Sequence, residues 1–537
     1  MSIDIEDKIR RLKNGELEIA SRKESMAPPR QVGEFISFLS DGTLALSIDH
    51  TTEPLVLDYL TNLDRKQVHY ELHTANLAEV HRLNECIVQE YQETGTEAQR
   101  QEQVVSIIKS ATQQKASDVH VVVDRSYCRV MIRVNGELHP FRQMSHGEGM
   151  ALIRSTYQTM SDSGDESLRI NESQDARLKT EWVSRVGLFG ARVATRPLGT
   201  SGLMMILRLL YDHGNDAKTI NDLGYLKSQN ESIERFTHLS HGIVIYSGPT
   251  GSGKSTAMAV SLESLGRFFD YRLHILTIEN PPEYRISCAN QTPLNYQGDW
   301  AEDIRNAMRL DPDVMMIGEI RDLDSCTAAF RAAMTGHGIW TTVHANDTTS
   351  VIDRLSDLGV NRSLLLDPSL VRGVVNQNLV QQVCPRCSLR FDQVCQDIPD
   401  DLISRIRRYT QVQATRYRNP DGCSTCQNTG IAGRLPVAEI LETDLRFFDV
   451  YSDQGKIRAR QYWVKELGGV TKNMHLIKLI DSGLVDPISA ERSVAPIDDD
   501  MRTLGLDPRL MLIERGLCDP VRDEEHPVAT ASAEVLS

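Results

Sequence analysis

The densest chemistry in the sequence lies at Gly248-Pro249-Thr250-Gly251-Ser252-Gly253-Lys254-Ser255-Thr256. The segment fits G-x-x-x-x-G-K-[ST], and it stands after the apolar run GIVIYS and before the helical pattern STAMAVSLESLG. Its glycines let successive backbone N–H groups converge on phosphate oxygens, and a helix N-terminus adds a favourable dipole. Lys254 would neutralise the β- and γ-phosphates, and the Ser255 hydroxyl would coordinate Mg²⁺. A metal beside such a loop needs a carboxylate at the end of a neighbouring strand. PDVMMIGEIRD offers one: the run Val314 to Ile317, then Gly318 and Glu319. Asp is usual at that place, and the longer Glu319 would reach the metal through water or position the attacking water. Ile278-Glu279-Asn280-Pro281-Pro282-Glu283 follows another apolar run. Its two Glu flank a proline-stiffened turn, so only one is expected to face a nucleotide. As general base for water, Glu283 is the first choice and Glu279 the second; a cap or an Arg partner is the plainer role for either.

A second cluster is made of thiols. Cys384-Pro-Arg-Cys387 and Cys423-Ser-Thr-Cys426 are two C-x-x-C pairs with 35 residues between them. Two such knuckles present four thiolates to one tetrahedral Zn²⁺, with no open coordination position, so the ion would be structural. The chain has 10 Cys, sparse for 537 residues, which argues against a disulfide scaffold. Cys86, Cys128, Cys288, Cys326, Cys395 and Cys518 show no ligand spacing.

These groups need a scaffold, and composition bounds it. At 40% hydrophobic and 25% charged residues, the chain belongs with soluble folded proteins of several domains. Lys plus Arg number 59 against 74 Asp plus Glu, a net charge of −15, which argues against a protein that coats nucleic acid or anionic lipid with its whole surface. No apolar run approaches the roughly 18 residues that span a bilayer. The first residues, MSIDIEDKIRRLKNGELE, are charged throughout and unlike a secretory signal, so we expect work in the cytoplasm or at the inner face of a membrane.

Along the chain, residues 1–100 carry no catalytic signature. Ile5, Ile9 and Leu12 recur at helical spacing, so an amphipathic helix is expected, packed on its own domain or docking a partner; Pro28 and Pro29 break the chain after it. From 101 to 212 the pattern is α+β. A helix over EQVVSIIKSATQQ leads to strands at ASDVHVVV and CRVMIRVNGELH with an Asn135-Gly136 turn, then to a strand pair at LFGARVATRPLG and SGLMMILRLL. The Gly-, Asn- and Asp-rich stretch between Tyr211 and Tyr225 contains a linker, residues 213–222. Beyond it, buried strands are predicted at Gly242 to Tyr246, Arg272 to Ile278, Val314 to Ile317 and Ile339 to Val343. A helix from Asp324 to Thr335 stops at Gly336. That alternation predicts a mostly parallel sheet covered on both faces, over 223–380. The thiol element occupies 381–445, a helical region 446–525, and a disordered tail 526–537.

Taken in order, ASDVH, RVNGELH, QDAR, RVATRP, LRLL, GPTGSGKST, IENPPEY, LDPDVMMIGEIRD, TGHGIWTTVHAND, CPRC and CSTCQNTGIAGRLPVAEIL resemble the secretion ATPase family of type II secretion and type IV pilus machines. These blocks cover about residues 116 to 441. The resemblance implies an α/β fold: a RecA-like P-loop ATPase domain preceded by an α+β, PAS-like domain and a small N-terminal domain. It implies a homohexameric motor that binds ATP and Mg²⁺ between the two halves of the chain. Arg192 in RVATRP and Arg208 in LRLL would reach the phosphates; Arg305 and Arg309 in DIRNAMRLDPD would lie near a neighbouring site. A guanidinium on the γ-phosphate stabilises transition-state charge; a strand-edge ion pair is the plainer role for each. The acidic turn matches the family's Asp box, GEIRD its Walker B, and TGHGIWTTVHAND its His box with His337 and His344. His344 would sense the γ-phosphate or serve as a structural histidine. The tetracysteine element is similar to that of extension motors, which retraction motors lack.

The resemblance further implies a motor peripheral at the inner face of a bacterial inner membrane, with a membrane platform protein and a membrane-anchored adaptor as partners and no nucleic acid. A type IV pilus extension motor, of the IVb branch or otherwise, is the first reading. A type II secretion ATPase shares every motif, and a conjugation or DNA-transfer ring ATPase and a non-hydrolysing scaffold stand behind it. Three positions depart from the family pattern: Asn280 replaces an Asp of the Asp box, Asn378 stands where Arg is usual, and Arg196 takes a commonly apolar place.

Overall fold

The computed structural model describes residues 4–13, 17, 19–22, 26, 28–29, 32–85, 96–162, 167–199, 202–211, 219–294 and 299–520. Most of the expected linker, the whole of the expected tail and Cys86 lie outside the described residues. The chain divides into two units, Met1–Leu209 and Leu210–Ser537.

In the first unit, β1 (Ile36–Phe38), β2 (Thr43–Ser47) and β3 (Glu71–Ala75) form a small sheet. The first helix, Ile5–Lys13, turns Ile5, Ile9 and Leu12 into a core with Leu39, Ala45, Val80 and Leu83. Its apolar stripe is thus covered within its own domain. A second, larger sheet is built from β4 (Asp118–Val123), β5 (Tyr127–Val134), β6 (Glu137–Ser145), β7 (Ser161–Asp162), β8 (Gln174–Leu178), β9 (Leu188–Leu198) and β10 (Gly202–Tyr211). Their order is β6-β5-β4-β10-β9-β8-β7. Asn135 and Gly136 take φ of 50° and 91°, the pair of left-handed conformations that a two-residue turn between β5 and β6 requires. Helix Glu97–Gln113 opens on a reciprocal cap between Thr96 and Gln99 and buries Val104, Ile107, Ile108 and Ala111.

The second unit carries a seven-stranded sheet: β11 (Gly242–Ser247), β12 (Ile275–Glu279), β13 (Ala289–Pro293), β14 (Val314–Ile317), β15 (Gly338–Val343), β16 (Val371–Val383) and β17 (Ile431–Glu442). The order is β13-β12-β14-β15-β11-β16-β17, all parallel except β17, which runs antiparallel to β16. Period-two alternation sends Ile243, Ile245, Met315 and Ile317 into one apolar core and Val244, Tyr246, Val314 and Met316 into another. Both faces are therefore buried, which is why these strands read as continuous apolar runs. The core with Val244 is closed by helix Lys254–Phe268. The other is closed by helices Trp300–Ala307 and Leu323–Met334 and also by Trp463, Met474, Ile477 and Leu512 of the C-terminal helices. The strand expected from Arg272 begins only at Ile275, because Asp270 and Tyr271 both take left-handed φ, 52° and 56°, and turn the chain first.

Candidate functional site

Parallel pairing collects four strand ends on one edge. Ser247 of β11 lies opposite Val343 of β15 and Asn376 of β16, Ile317 of β14 opposite Thr341, and Ile278 of β12 opposite Ile317. The loops after β11, β12, β14 and β15 thus emerge side by side, the usual place for a ligand in an open α/β sheet. Gly248 takes φ 135°, and a Cβ there would lie 2.2 Å from the Gln377 carbonyl oxygen. Gly253, at φ 83°, opens the 15-residue helix Lys254–Phe268. Only glycine fits the first position, and the loop is held as a cradle on β16. Lys254 is buried, and its Nζ donates to the carbonyls of Gly248 at 2.9 Å and Pro249 at 3.0 Å. Burial lowers its pKa, while the charges of Glu319 and Glu283 act the other way. A buried cation at the head of a long helix, with two carboxylates in electrostatic reach, suits a polyphosphate and its metal.

The two Glu of the acidic turn have different surroundings. Glu279, the last residue of β12, is buried; its Oε1 accepts from Thr277 Oγ1 at 2.7 Å and from Gln291 Nε2 at 2.9 Å. The Glu283 backbone N–H also donates to that carboxylate. Burial raises the Glu279 pKa against these donors. Glu279 is therefore a peg that fixes the turn, and the half-buried Glu283 is the member whose charge reaches Lys254. Glu319, just beyond β14, accepts from Arg321 Nε at 2.9 Å, and His344 Nε2 lies 3.5 Å from its other oxygen. His344 is half-exposed, so a buried structural histidine is excluded at this position. His337 is at the opposite end of β15, where its Nδ1 meets the Ala332 carbonyl at 2.9 Å; six residues of strand, about 20 Å, separate it from the phosphate loop. Ser255 is at the first turn of the helix, half-buried.

The arginines stand on other elements. Arg208 faces Asp118 across β10 and β4, with Nε 3.1 Å from Oδ1, and Arg133 approaches the other oxygen of Asp118 at 3.9 Å from β5. The strand-edge ion pair is thus realised for Arg208. Arg192 stands directly opposite Arg177 in the β8–β9 ladder. Arg305 and Arg309 are exposed, on and just past helix Trp300–Ala307.

The thiols come together because β16 and β17 are antiparallel neighbours. Cys384 follows the last residue of β16, and Cys423 and Cys426 precede the first residue of β17, with Cys384 N donating to the Gly430 carbonyl at 2.9 Å. All four Sγ atoms lie within 4.8 Å of one another, with Cys384 to Cys423 at 3.9 Å and Cys387 to Cys426 at 3.8 Å. Tetrahedral Zn–S bonds of about 2.3 Å put sulfurs about 3.8 Å apart, so the quartet fits the ion. Burial opposes ionisation of Cys426, but N–H donors from Cys423 and Gly430 outweigh it and bring the thiol down to about 6.

Several contributors carry no local motif of their own. Gln377 donates to the Ser252 carbonyl at 2.7 Å and accepts from the Tyr225 hydroxyl. Asn376 donates to Ser247 Oγ at 2.8 Å and to the Ala345 carbonyl at 2.9 Å. Tyr284, the last residue of IENPPEY, takes a hydrogen bond from Thr256 Oγ1 at 3.0 Å and so ties the acidic turn to the phosphate-loop helix. Tyr284 lies within IENPPEY and Arg321 within GEIRD, whereas Gln377 and Asn376 reach the site only because β16 is beside β11.

Residues 93–480 match the family described as Type II/IV secretion system protein. The type IV pilus assembly ATPase TfpB of Acinetobacter baylyi is 31% identical over 367 residues, 67% of this chain and 60% of that protein. Type II secretion system protein E of Pectobacterium carotovorum is 32% identical over 342 residues, 63% of this chain and 64% of that protein. The chain thus spans less than two thirds of these relatives. Among solved structures, the pilus retraction motor PilT with bound ADP superposes at a TM-score of 0.50 with 22% identity, over 72% of this chain and 96% of that one, a likeness of fold.

Proposed function

This chain belongs to the type II/IV secretion system protein family, and we propose that it hydrolyses Mg-ATP to drive assembly of a pilus or pseudopilus. The observation that carries the reading is the shared edge of the parallel sheet, which gathers Lys254, Glu283, Glu319 and His344 from four separate loops. In this reading residues Gly248 to Thr256 hold the triphosphate, and Ser255 and Glu319 hold Mg²⁺, which draws charge from the phosphate oxygens. Water attacks the γ-phosphorus, the bond to the β-phosphate oxygen breaks, and Glu283 takes the proton as ADP leaves. The resemblance would also bring Arg192, Arg208, Arg305 and Arg309 to the phosphates of this or a neighbouring subunit, Arg208 exchanging its ion pair with Asp118 for that contact. Cys384, Cys387, Cys423 and Cys426 hold a structural Zn²⁺.

The working form is a homohexamer acting on a membrane platform protein from the inner face of the bacterial inner membrane, with a membrane-anchored adaptor as a second partner. No helix among the described residues is long and apolar enough to cross a membrane. Pilus extension is the first reading and type II secretion the second. The second has specific support: relatives named for each system match over similar lengths at nearly equal identity, 31% and 32%. The test is Mg²⁺-dependent phosphate release from ATP by the purified chain, with native mass measured alongside. Nucleotide binding without turnover would remove the motor. Turnover stimulated only by the cytoplasmic part of a pilus platform protein, or only by that of a secretion platform, would choose between the systems.

A further inference from the structure

His344 is followed by four residues, and each is held from the C-terminal side of the chain. The Ala345 carbonyl accepts from Asn376 Nδ2 at 2.9 Å. The Asn346 carbonyl accepts from Lys472 Nζ at 2.5 Å. Asp347 lies 4.0 Å from Arg460 Nη1. Thr348 donates its backbone N–H to Glu439 Oε1 at 2.7 Å. The holders are joined to one another. Arg460 Nη2 donates to Glu439 Oε2 at 2.8 Å, and Lys472 Nζ reaches Asn378 Oδ1 at 3.0 Å. Asn376 and Glu439 are directly opposite in the β16–β17 ladder, and Asn376 also bonds Ser247, the residue before the phosphate loop.

The helix that starts at Thr348 does not need this. Asp347 already caps it, accepting from Ser350 N at 2.7 Å. Nor is the cluster an economical way to add stability. Glu439 is fully buried, and a buried ion pair roughly breaks even against apolar packing of the same volume. What charged, multiply bonded side chains do supply is a fixed place for backbone that would otherwise be a surface loop. The loop so fixed begins with the imidazole that lies 3.5 Å from Glu319.

We propose that Lys472 and Arg460, with Glu439 and Asn376, are positioning residues that hold the segment His344 to Thr348 against Glu319. The helices Lys456–Lys465 and Lys472–Asp481 are then part of the hydrolytic device. This rests on the hydrolysis proposed above. By linkage, closure of nucleotide on the phosphate-loop edge and the packing of those two helices bias one another.

The test is Lys472→Met in the full chain, which keeps the apolar stem of a partly buried side chain and removes the ammonium; Arg460→Lys is the second variant. In Lys472→Met we expect kcat to fall by about tenfold to a hundredfold, as for lost positioning. KM for Mg-ATP, zinc content and melting temperature should stay at wild-type values. Amide hydrogen exchange at residues 345–348 should speed at least tenfold, with β11 unchanged. That exchange readout needs no turnover, so it separates this idea from the ATPase reading. Should the wild type be inactive, the proposed function fails while the exchange result still decides the clamp. Wild-type kcat within twofold, or unchanged exchange at 345–348, would overturn the proposal.

Discussion

Two regions lie on the same strand and are built on opposite plans. β16 passes the phosphate loop at Asn376 and Gln377 and runs on to the cysteine quartet at its end. Seven residues at about 3.3 Å each separate Gln377 from Cys384, some 23 Å. At the first region the functional side chains come from loops scattered between residues 248 and 344, and they keep alternative partners. Glu319 is shared between Arg321 and His344, and Lys254 rests on carbonyls of its own loop. At the second, two short knuckles supply four like donors that close on each other, with backbone N–H groups on Cys426. On the proposed function, the first site needs groups able to exchange partners between states, and the second, fastening a hairpin, does not.

That contrast can be broken by substitution. The largest effect is expected for Lys254→Ala: phosphate release should fall by roughly a thousandfold or more with loss of tight nucleotide binding, and turnover within tenfold of wild type would reject the phosphate loop. Glu319→Gln should bind nucleotide within a few-fold of wild type while kcat falls about a hundredfold to a thousandfold, read by stopped-flow and steady-state assays on one preparation. The two Glu of the acidic turn then sharpen the same region. Glu283→Gln should cost about tenfold to a hundredfold in kcat, and Glu279→Gln about threefold or less, with a lower melting temperature; the reverse order would exchange base and peg. At the quartet, Cys426→Ser or a strong chelator should remove about one zinc per chain and lower the melting temperature by about 5–10 °C. Activity at 20 °C should meanwhile stay within roughly tenfold of wild type, because no reacting atom is near. A larger loss of kcat than of stability would make the second region catalytic after all.

The smallest effect concerns Asp500, buried behind the clamp and bonded to Thr471 Oγ1 at 2.5 Å. Burial holds its carboxyl up to about 7, against 3.8 when free. The folded state keeps a proton that the unfolded chain loses, so the stability from this group is full below about pH 4 and is lost as pH rises through 7. Asp500→Asn cannot titrate; its advantage in unfolding free energy should grow between pH 5 and pH 8 by on the order of 2 kcal/mol. A pH-independent difference in urea titrations would mean that Asp500 is already ionised in the fold.

Legibility followed locality. The phosphate loop, the GEIRD acid and the strand Val314 to Ile317 were read from contiguous residues, and they lie where the pattern put them, because a buried parallel strand leaves a continuous apolar run. Of the two histidines of TGHGIWTTVHAND, the sequence reading assigns a role to His344 alone. Only the length of β15 shows that one is on the ligand edge and the other on the far edge. The spacing of Glu279 and Glu283 implies that one turns away, with Glu283 the first choice to face a nucleotide; the Gln291 side chain on the neighbouring strand holds Glu279. The stripe of Ile5, Ile9 and Leu12 is the same whether a helix docks a partner or its own domain, and the core with Leu39 and Leu83 chooses the latter.

Sequence alone settled the chemistry that a few adjacent residues can perform: a glycine-rich loop with a lysine for phosphate, an acid at a strand end, thiols in pairs. It settled the alternation of strand and helix too, since periodicity and burial are local consequences of backbone geometry. The fold decided everything that depends on register between distant strands. Asn376 meets Ala345, Glu439 meets Thr348, and Lys472 meets Asn346 only because β16 and β17 are laid beside β11 and the last helices share its core. Hydrogen bonds and ion pairs act over a few ångströms, and which residues come that close is fixed by the packing of the whole sheet rather than by any one stretch of chain.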